Sequence, residues 1–196
     1  MKSRAARCAP RGAVVDAHGP IGDALDPSQP MNVSLVTRGQ FGFEEVVRHI
    51  ARSLGGAHLS LWAWLDEPRE LDGLIAAYRL GELLSGRLVV ESKKPSTYEW
   101  LEAFGPGSVL VAKSHSKIAR MWNGSRRVLV RGSCCITGFP LIEQLDVTEG
   151  GAEFALVEEV EASFPALDEP AAVARAGKAY DVGGLSLCGG VWTWAK

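Results

Sequence analysis

Strands alternating with helices over the first half of the chain, then two strands folded back on one another, predict an α/β protein: a mixed β-sheet flanked by helices in a single domain. Three observations carry this. Residues 59–65 (LSLWAWL) are apolar enough for a buried strand, whereas residues 43–54 (FEEVVRHIARSL) repeat their apolar positions at helical spacing. Asn123-Gly124, set between two strand-like runs, is the best short hairpin signal a sequence offers. A length of 196 residues, 46% hydrophobic and 22% charged, suits one soluble domain that buries its core without disulfide staples.

The elements follow in order. Residues 1–31 are rich in Ala, Arg, Gly and Pro, with Lys2, Arg4, Arg7 and Arg11 preceding the first acid, Asp16. They read as a disordered basic leader, with an arm that touches nucleic acid as the alternative; the apolar middle of a secretory signal is missing. Order is expected from Asn32, with a short strand over 33–37. On the helix over 43–54, Phe43, Val46, Val47, Ile50 and Leu54 line one face, and His49 beside it reads as structural. His58 stands at the mouth of the strand over 59–65. Asp66 offers an N-cap and Pro68 an early helical position for a helix that runs to Tyr78 or on to Leu84. A strand over 87–92 and a short helix over 95–104 come next. The hairpin takes 109–121 and 126–131, the second strand running into Gly132 and Ser133. Residues 143–148 form another strand, and 152–164 a last helix with Phe154, Val157 and Val160 inward. Residues 32–165 thus make the domain, and 166–196 a C-terminal tail whose Trp192 and Trp194 suggest that it docks on it.

A type I′ turn at Asn123-Gly124 sets the cross-strand partners by counting outward: His115 faces Gly132 and Lys117 faces Val130. Imidazole and ammonium then share a face, glycine opposite the imidazole leaves room for a substrate, and Ser133 sits at the rim. Charge around the hairpin is lopsided. From Ala103 to Ile142 there is no acid, while Lys113, Lys117, Arg120, Arg126, Arg127 and Arg131 are basic; from Glu143 to Glu169 there are nine acids and no Lys or Arg. The net charge of −2 hides this dipole. A positive field beside a histidine favours an anion, most simply a phosphate; the plainer reading is a solvated hairpin face.

Other chemistries fit less well. Cys8, Cys134, Cys135 and Cys188 have no C-x-x-C spacing, which suits a reducing, cytoplasmic setting, and the adjacent pair reads as buried thiols. His18, His49, His58 and His115 are scattered, so neither metal nor cofactor is expected. There is no P-loop, no G-x-G-x-x-G and no apolar run near the ~18 residues of a membrane helix, so no membrane partner is expected.

His115-x-Lys117, a strand, Gly132-Ser133 and then Glu143 resembles the HKD motif of the phospholipase D superfamily, H-x-K-x4-D followed by G-S-x-N and a downstream acid. The segments TRGQF, LWAWL, VLVRGS and EQLDVTEG also look similar to phage- or prophage-borne members with one such motif. The resemblance implies a phospholipase D-like domain and a metal-independent phosphodiesterase, nuclease-like, acting on nucleic acid. It implies His115 as nucleophile, Lys117 and Ser133 on the phosphate oxygens, and Glu143 (or Asp146) holding the nucleophile's second ring nitrogen. Lys113, Arg131, Gly132 and Cys135 would line the substrate. Two positions depart: the family Asp falls on Trp122, and the family Asn, which helps hold phosphate, is Cys135. The alternative is therefore a catalytically degenerate domain that binds DNA or a protein partner, and a structural phage accessory protein is a third reading. With a single motif, the second histidine needed as acid implies a homodimer with one composite site.

Overall fold

The computed structural model describes residues 14–17, 20–26, 28–65, 69–91, 95–133, 136, 142–167, 185–188 and 191–194. One sheet contains β1 (Val14–Ala17), β2 (Asn32–Arg38), β3 (Ala57–Trp62), β4 (Leu83–Val90), β5 (Val109–Val111), β6 (Lys117–Trp122), β7 (Arg127–Gly132) and β8 (Ile142–Glu149). Their order across it is β1-β2-β8-β7-β6-β3-β4-β5. Pairing is parallel at β1–β2, β3–β4 and β4–β5 and antiparallel elsewhere, so β6 and β8 run against the other strands. This is a mixed α/β sheet.

Alternation along each strand sends side chains to two faces, and each face has its own cover. On one, Leu35, Leu59, Leu61, Leu88, Met121, Val130 and Val147 pack in the main core with residues of α2 (Phe43–Ser53), α3 (Asp72–Arg79) and α4 (Pro95–Phe104). Phe43, Val46, Val47 and Ile50 are fully buried, as the helical spacing predicts. On the other, Trp62, Val89, Leu110 and Ala112 form a smaller cluster with Val157 of α5 (Ala152–Glu161) and with Phe164. Central strands buried on both faces need no polar alternation, which is why LSLWAWL reads as one apolar run.

Several elements differ from expectation. The sheet begins before Asn32: β1 pairs with β2, and the short helix α1 (Ile21–Ala24) leads into Leu25 and Met31, both buried in the core. Helix α3 ends at Arg79 instead of continuing, because the turn through Gly81 (φ +77°) breaks it, and β4 starts at Leu83. Asp66 and Pro68 lie outside the described residues. On α5, Phe154 is buried as expected, but Val160 is 41% exposed and its neighbour Glu161 is buried.

The largest difference concerns residues 109–121, expected as one strand. They form two strands in different places: β5 lies at the sheet edge on β4, and β6 lies between β3 and β7. Residues 112–116 therefore cross the ends of β4 and β3. Ala112 N–H donates to the Val90 carbonyl (2.9 Å) where this crossover begins. The open edge of β5 is covered by residues 165–167, through Val111 N–H to Pro165 O (2.9 Å) and Leu167 N–H to Val109 O (2.8 Å). Further on, β9 (Leu185–Cys188) and β10 (Val191–Trp194) pair as a separate antiparallel hairpin. Among the described residues, no helix is long and apolar enough to cross a membrane.

Candidate active site

Strand directions bring the nominated residues to one end of the sheet. There β2, β3, β4, β5 and β7 finish and β6 and β8 begin, the end at which open α/β sheets usually bind ligands. Lys113 and His115 lie on the crossover, Lys117 opens β6, Gly132 closes β7 with Ser133 directly after it, and Glu143 is the second residue of β8. Arg131 is adjacent in sequence but turns to the α5 face, where its guanidinium meets Glu153 at 3.1 Å. Cys135 and Cys134 lie outside the described residues.

The hairpin register is shifted by two residues from the expected one. Lys117 pairs with Gly132 and Ala119 with Val130, so Lys117 does not face Val130 and His115 precedes the ladder. The cause is the connection. Asn123 Oδ1 accepts from the backbone N–H of Ser125 and of Arg126 (both 2.9 Å), and Asn123 N–H donates to the Arg126 carbonyl (3.1 Å). Residues 123–126 thus close an Asx-type loop, and Gly124 does not take the positive φ of a type I′ turn. A slip of two preserves every side chain's face, so the pattern of inward residues survives the error.

Gly132 does not open space for a substrate. A Cβ there would stand 2.5 Å from the Gln144 carbonyl oxygen and 2.6 Å from Leu145 Cδ2, so the missing side chain admits the backbone of β8. That approach seats Glu143 beside Ser133. The Ser133 hydroxyl donates to Glu143 Oε2 and accepts from Gln144 N–H at 3.1 Å. Glu143 therefore holds the serine, not the imidazole. Asp146, the other candidate holder, accepts from Ser34 Oγ at 2.5 Å.

His115 is exposed, and its ring lies on the indole of Trp64 with centroids 4.2 Å apart and planes 21° from parallel. Nothing in the sequence pairs these two residues. The crossover creates the contact by carrying His115 past the end of β3. The other described histidines are engaged elsewhere. His49 Nε2 lies 3.0 Å from the Leu25 carbonyl, and His58 Nδ1 lies 2.8 Å from Ser85 Oγ at the opposite end of β3. His58 also stacks on Trp122 at 5.4 Å. Trp122 ends β6, about 16 Å from Lys117 at the ordinary strand rise, so that departure takes no group away from the candidate site.

The expected positive field is largely cancelled inside the fold. Arg126 forks onto Glu149 (2.5 and 2.7 Å), holding that carboxyl below the usual range, with Met31 N–H also donating to it at 3.0 Å. Arg120 is buried and reaches Glu158 at 2.6 Å and Glu161 at 3.2 Å, its guanidinium 4.7 Å from the Trp122 ring centre. Glu161 also accepts from Ser60 Oγ, from Trp62 Nε1 (3.1 Å) and from Arg87 (2.9 Å). Burial is the largest influence on Glu161 and pushes its carboxyl up. The hydrogen bonds from Ser60, Arg87 and Trp62, with the charge of Arg120, outweigh it and hold the group below its ordinary value. The basic run and the acidic run are two halves of the same set of ion pairs. Lys117, by contrast, forms no ion pair among the described residues.

No group of three or more His, Cys, Asp or Glu among the described residues could hold a metal ion. No protein-family model matches the chain, and no curated protein matches it.

Proposed function

We propose that the chain is a phospholipase D-like phosphodiesterase, nuclease-like and independent of metal, that works through a phosphohistidine on His115. The observation that supports this is the gathering of His115, Lys117, Ser133 and Glu143 at the carboxyl end of the sheet, from a crossover and the ends of three strands. In this reading a ring nitrogen of His115 attacks phosphorus, the phosphorus–oxygen bond to the leaving group breaks, and the leaving oxygen takes a proton from an acid. Water then attacks the phosphohistidine and returns the imidazole. The Lys117 ammonium neutralises the phosphate oxygens. Ser133 has one hydroxyl proton, now given to Glu143, so the carboxylate and an incoming phosphate compete for it. The acid is assigned to His115 of a second copy, because the chain has a single H-x-K motif and, among the described residues, His49 and His58 are engaged away from this end. The substrate is nucleic acid, and the working form a homodimer.

The second reading is a domain that binds DNA or a protein partner without chemistry. The Glu143–Ser133 pairing favours it, since among the described residues no carboxylate fixes the tautomer of His115. Cleavage of single- and double-stranded DNA in excess EDTA separates the two. The expected result is chelator-resistant cleavage that His115→Ala abolishes. Cleavage that needs added magnesium, or that survives the substitution, excludes the histidine mechanism. Salt-sensitive binding with no cleavage selects the second reading, because phosphate contacts release counterions.

A further inference from the structure

A nucleophilic imidazole has to be aimed, and among the described residues no carboxylate does it: Glu143 is committed to Ser133 and Asp146 to Ser34. We propose that Trp64 is the positioning residue for His115, holding the ring by its face in place of a hydrogen bond to its edge. The inference rests on the reading of His115 as the nucleophile.

Trp64 is well placed to act as a fixed plate. It follows β3, the strand flanked by β4 and β6, and the ladder runs on past Trp62 through Ala63 N–H to the Val89 carbonyl (3.1 Å). Its neighbours Ala63 and Leu65 are buried, so the backbone on either side of the indole is anchored in the core. His115 has no such support from its own segment. The crossover is tied at its start by Ala112 N–H and at its end by β6, and locally by Ser116 N–H donating to Ser114 Oγ (3.0 Å). These bonds place the backbone near His115 but leave its ring free to turn. The ring's direction comes from the stack at 4.2 Å and 21°.

Face contact and edge contact have different chemical consequences. A carboxylate occupies one ring nitrogen and fixes the tautomer. An indole under the ring occupies neither, so Nδ1 and Nε2 both stay in the open plane, one to attack phosphorus and the other to exchange its proton. Trp64 limits the ring's tumbling, and that acts on the rate of attack more than on substrate affinity.

The test compares Trp64→Leu, which keeps an apolar side chain but removes the aromatic face, with Trp64→Phe, which restores an aromatic plate. Activity is read as kcat and KM in EDTA, and the stack is read separately from the ring-proton resonances of His115. Trp64→Leu is expected to lower kcat about 10- to 100-fold with KM held within about twofold, as misaimed reactants do. Trp64→Phe should recover most of the loss. The His115 ring protons should stand upfield in the wild type, move downfield in Trp64→Leu and return in Trp64→Phe. An unchanged kcat overturns the proposal. So does a raised KM at unchanged kcat, which would make Trp64 a platform for a substrate base. If the wild type cleaves nothing, the phosphodiesterase reading falls by itself and the resonances still decide the contact: ring protons that Trp64→Leu does not move overturn it.

Discussion

At the scale of single residues, the closest approach in the site is that of β8 to Gly132, where an added Cβ would meet the Gln144 carbonyl oxygen at 2.5 Å. Because the strands approach this closely, Glu143 reaches Ser133, and in the proposed reaction its charge would stand beside the incoming phosphate. Two outcomes of Glu143→Gln follow from two different partners. A carboxylate that holds only the serine is a repelling neighbour for an anionic substrate, and removing its charge should lower KM about fivefold, the worth of roughly 1 kcal/mol of Coulomb repulsion at ~4 Å in water. A carboxylate that held the imidazole would instead take kcat down with KM unchanged. Steady-state kinetics of the variant on one oligonucleotide decide it, and a fall in kcat of about 100-fold or more would refute the serine assignment. Lys117 and Ser133 were legible in the sequence because hairpin partners follow from counting, and a slip of two leaves them together; Glu143 entered only through the phospholipase D resemblance, as holder of the imidazole, and stands on Ser133 instead. Trp64 was not legible. Its partnership with His115 depends on a crossover that reads in sequence as an unbroken strand, since Val109–Val111 and Lys117–Trp122 are both strand-like and only Ser114 and Ser116 interrupt them.

At the scale of elements, α5 is tied to the sheet by charge as well as by apolar contact. Phe154 is buried against the sheet face, but the last turn sends Glu161 inward among Ser60, Trp62, Arg87 and Arg120. Apolar periodicity pointed to Val160 as the inward residue, because it assigns burial by side-chain polarity and cannot see that Arg120 waits on β6 as a buried counter-charge. Helix α2 carries no buried ion pair of this kind among the described residues, and its face was read correctly from spacing alone. Glu161→Ala leaves Arg120, 3% exposed, with only the half-exposed Glu158 for company. It should cost about 3–5 kcal/mol in urea unfolding, the range for breaking a buried pair. A loss below about 1 kcal/mol would place the network among weak surface pairs. The pH dependence has a definite sign. Glu161 and Glu149 both titrate below their ordinary 4.5 in the fold, so their stabilisation is complete above that value and is lost as pH falls below it. Glu44, raised by burial, acts in the opposite sense and cancels a part. In Glu161→Ala the acid limb of the stability curve should therefore be shallower than in the wild type.

At the scale of the whole molecule, the net charge of −2 conceals a fold in which basic strands are paired with the acidic strand and helix that follow them. The proposed reaction requires two copies to bring their His115 side chains to one phosphate, across a twofold axis at the carboxyl end of the sheet. Were all six basic residues of the hairpin region presented there, the encounter would set twelve like charges against each other. Arg120, Arg126 and Arg131 are instead each matched by a carboxylate of their own chain. Lys113 and Lys117 stand two residues either side of His115 at this end, and in the proposed composite site each copy would turn them toward the same phosphate. Association should consequently be favoured by the anionic ligand, and high salt should remove that ligand's share of it while screening the repulsion between free copies. Sedimentation equilibrium at micromolar protein, with and without a short oligonucleotide, measures this directly. A dimer in either condition agrees with a composite site, and a larger dimer fraction with the oligonucleotide is the expected direction. A strict monomer in both would leave the leaving oxygen without its histidine acid, and the chain would then be read as a nucleic-acid-binding or partner-binding domain.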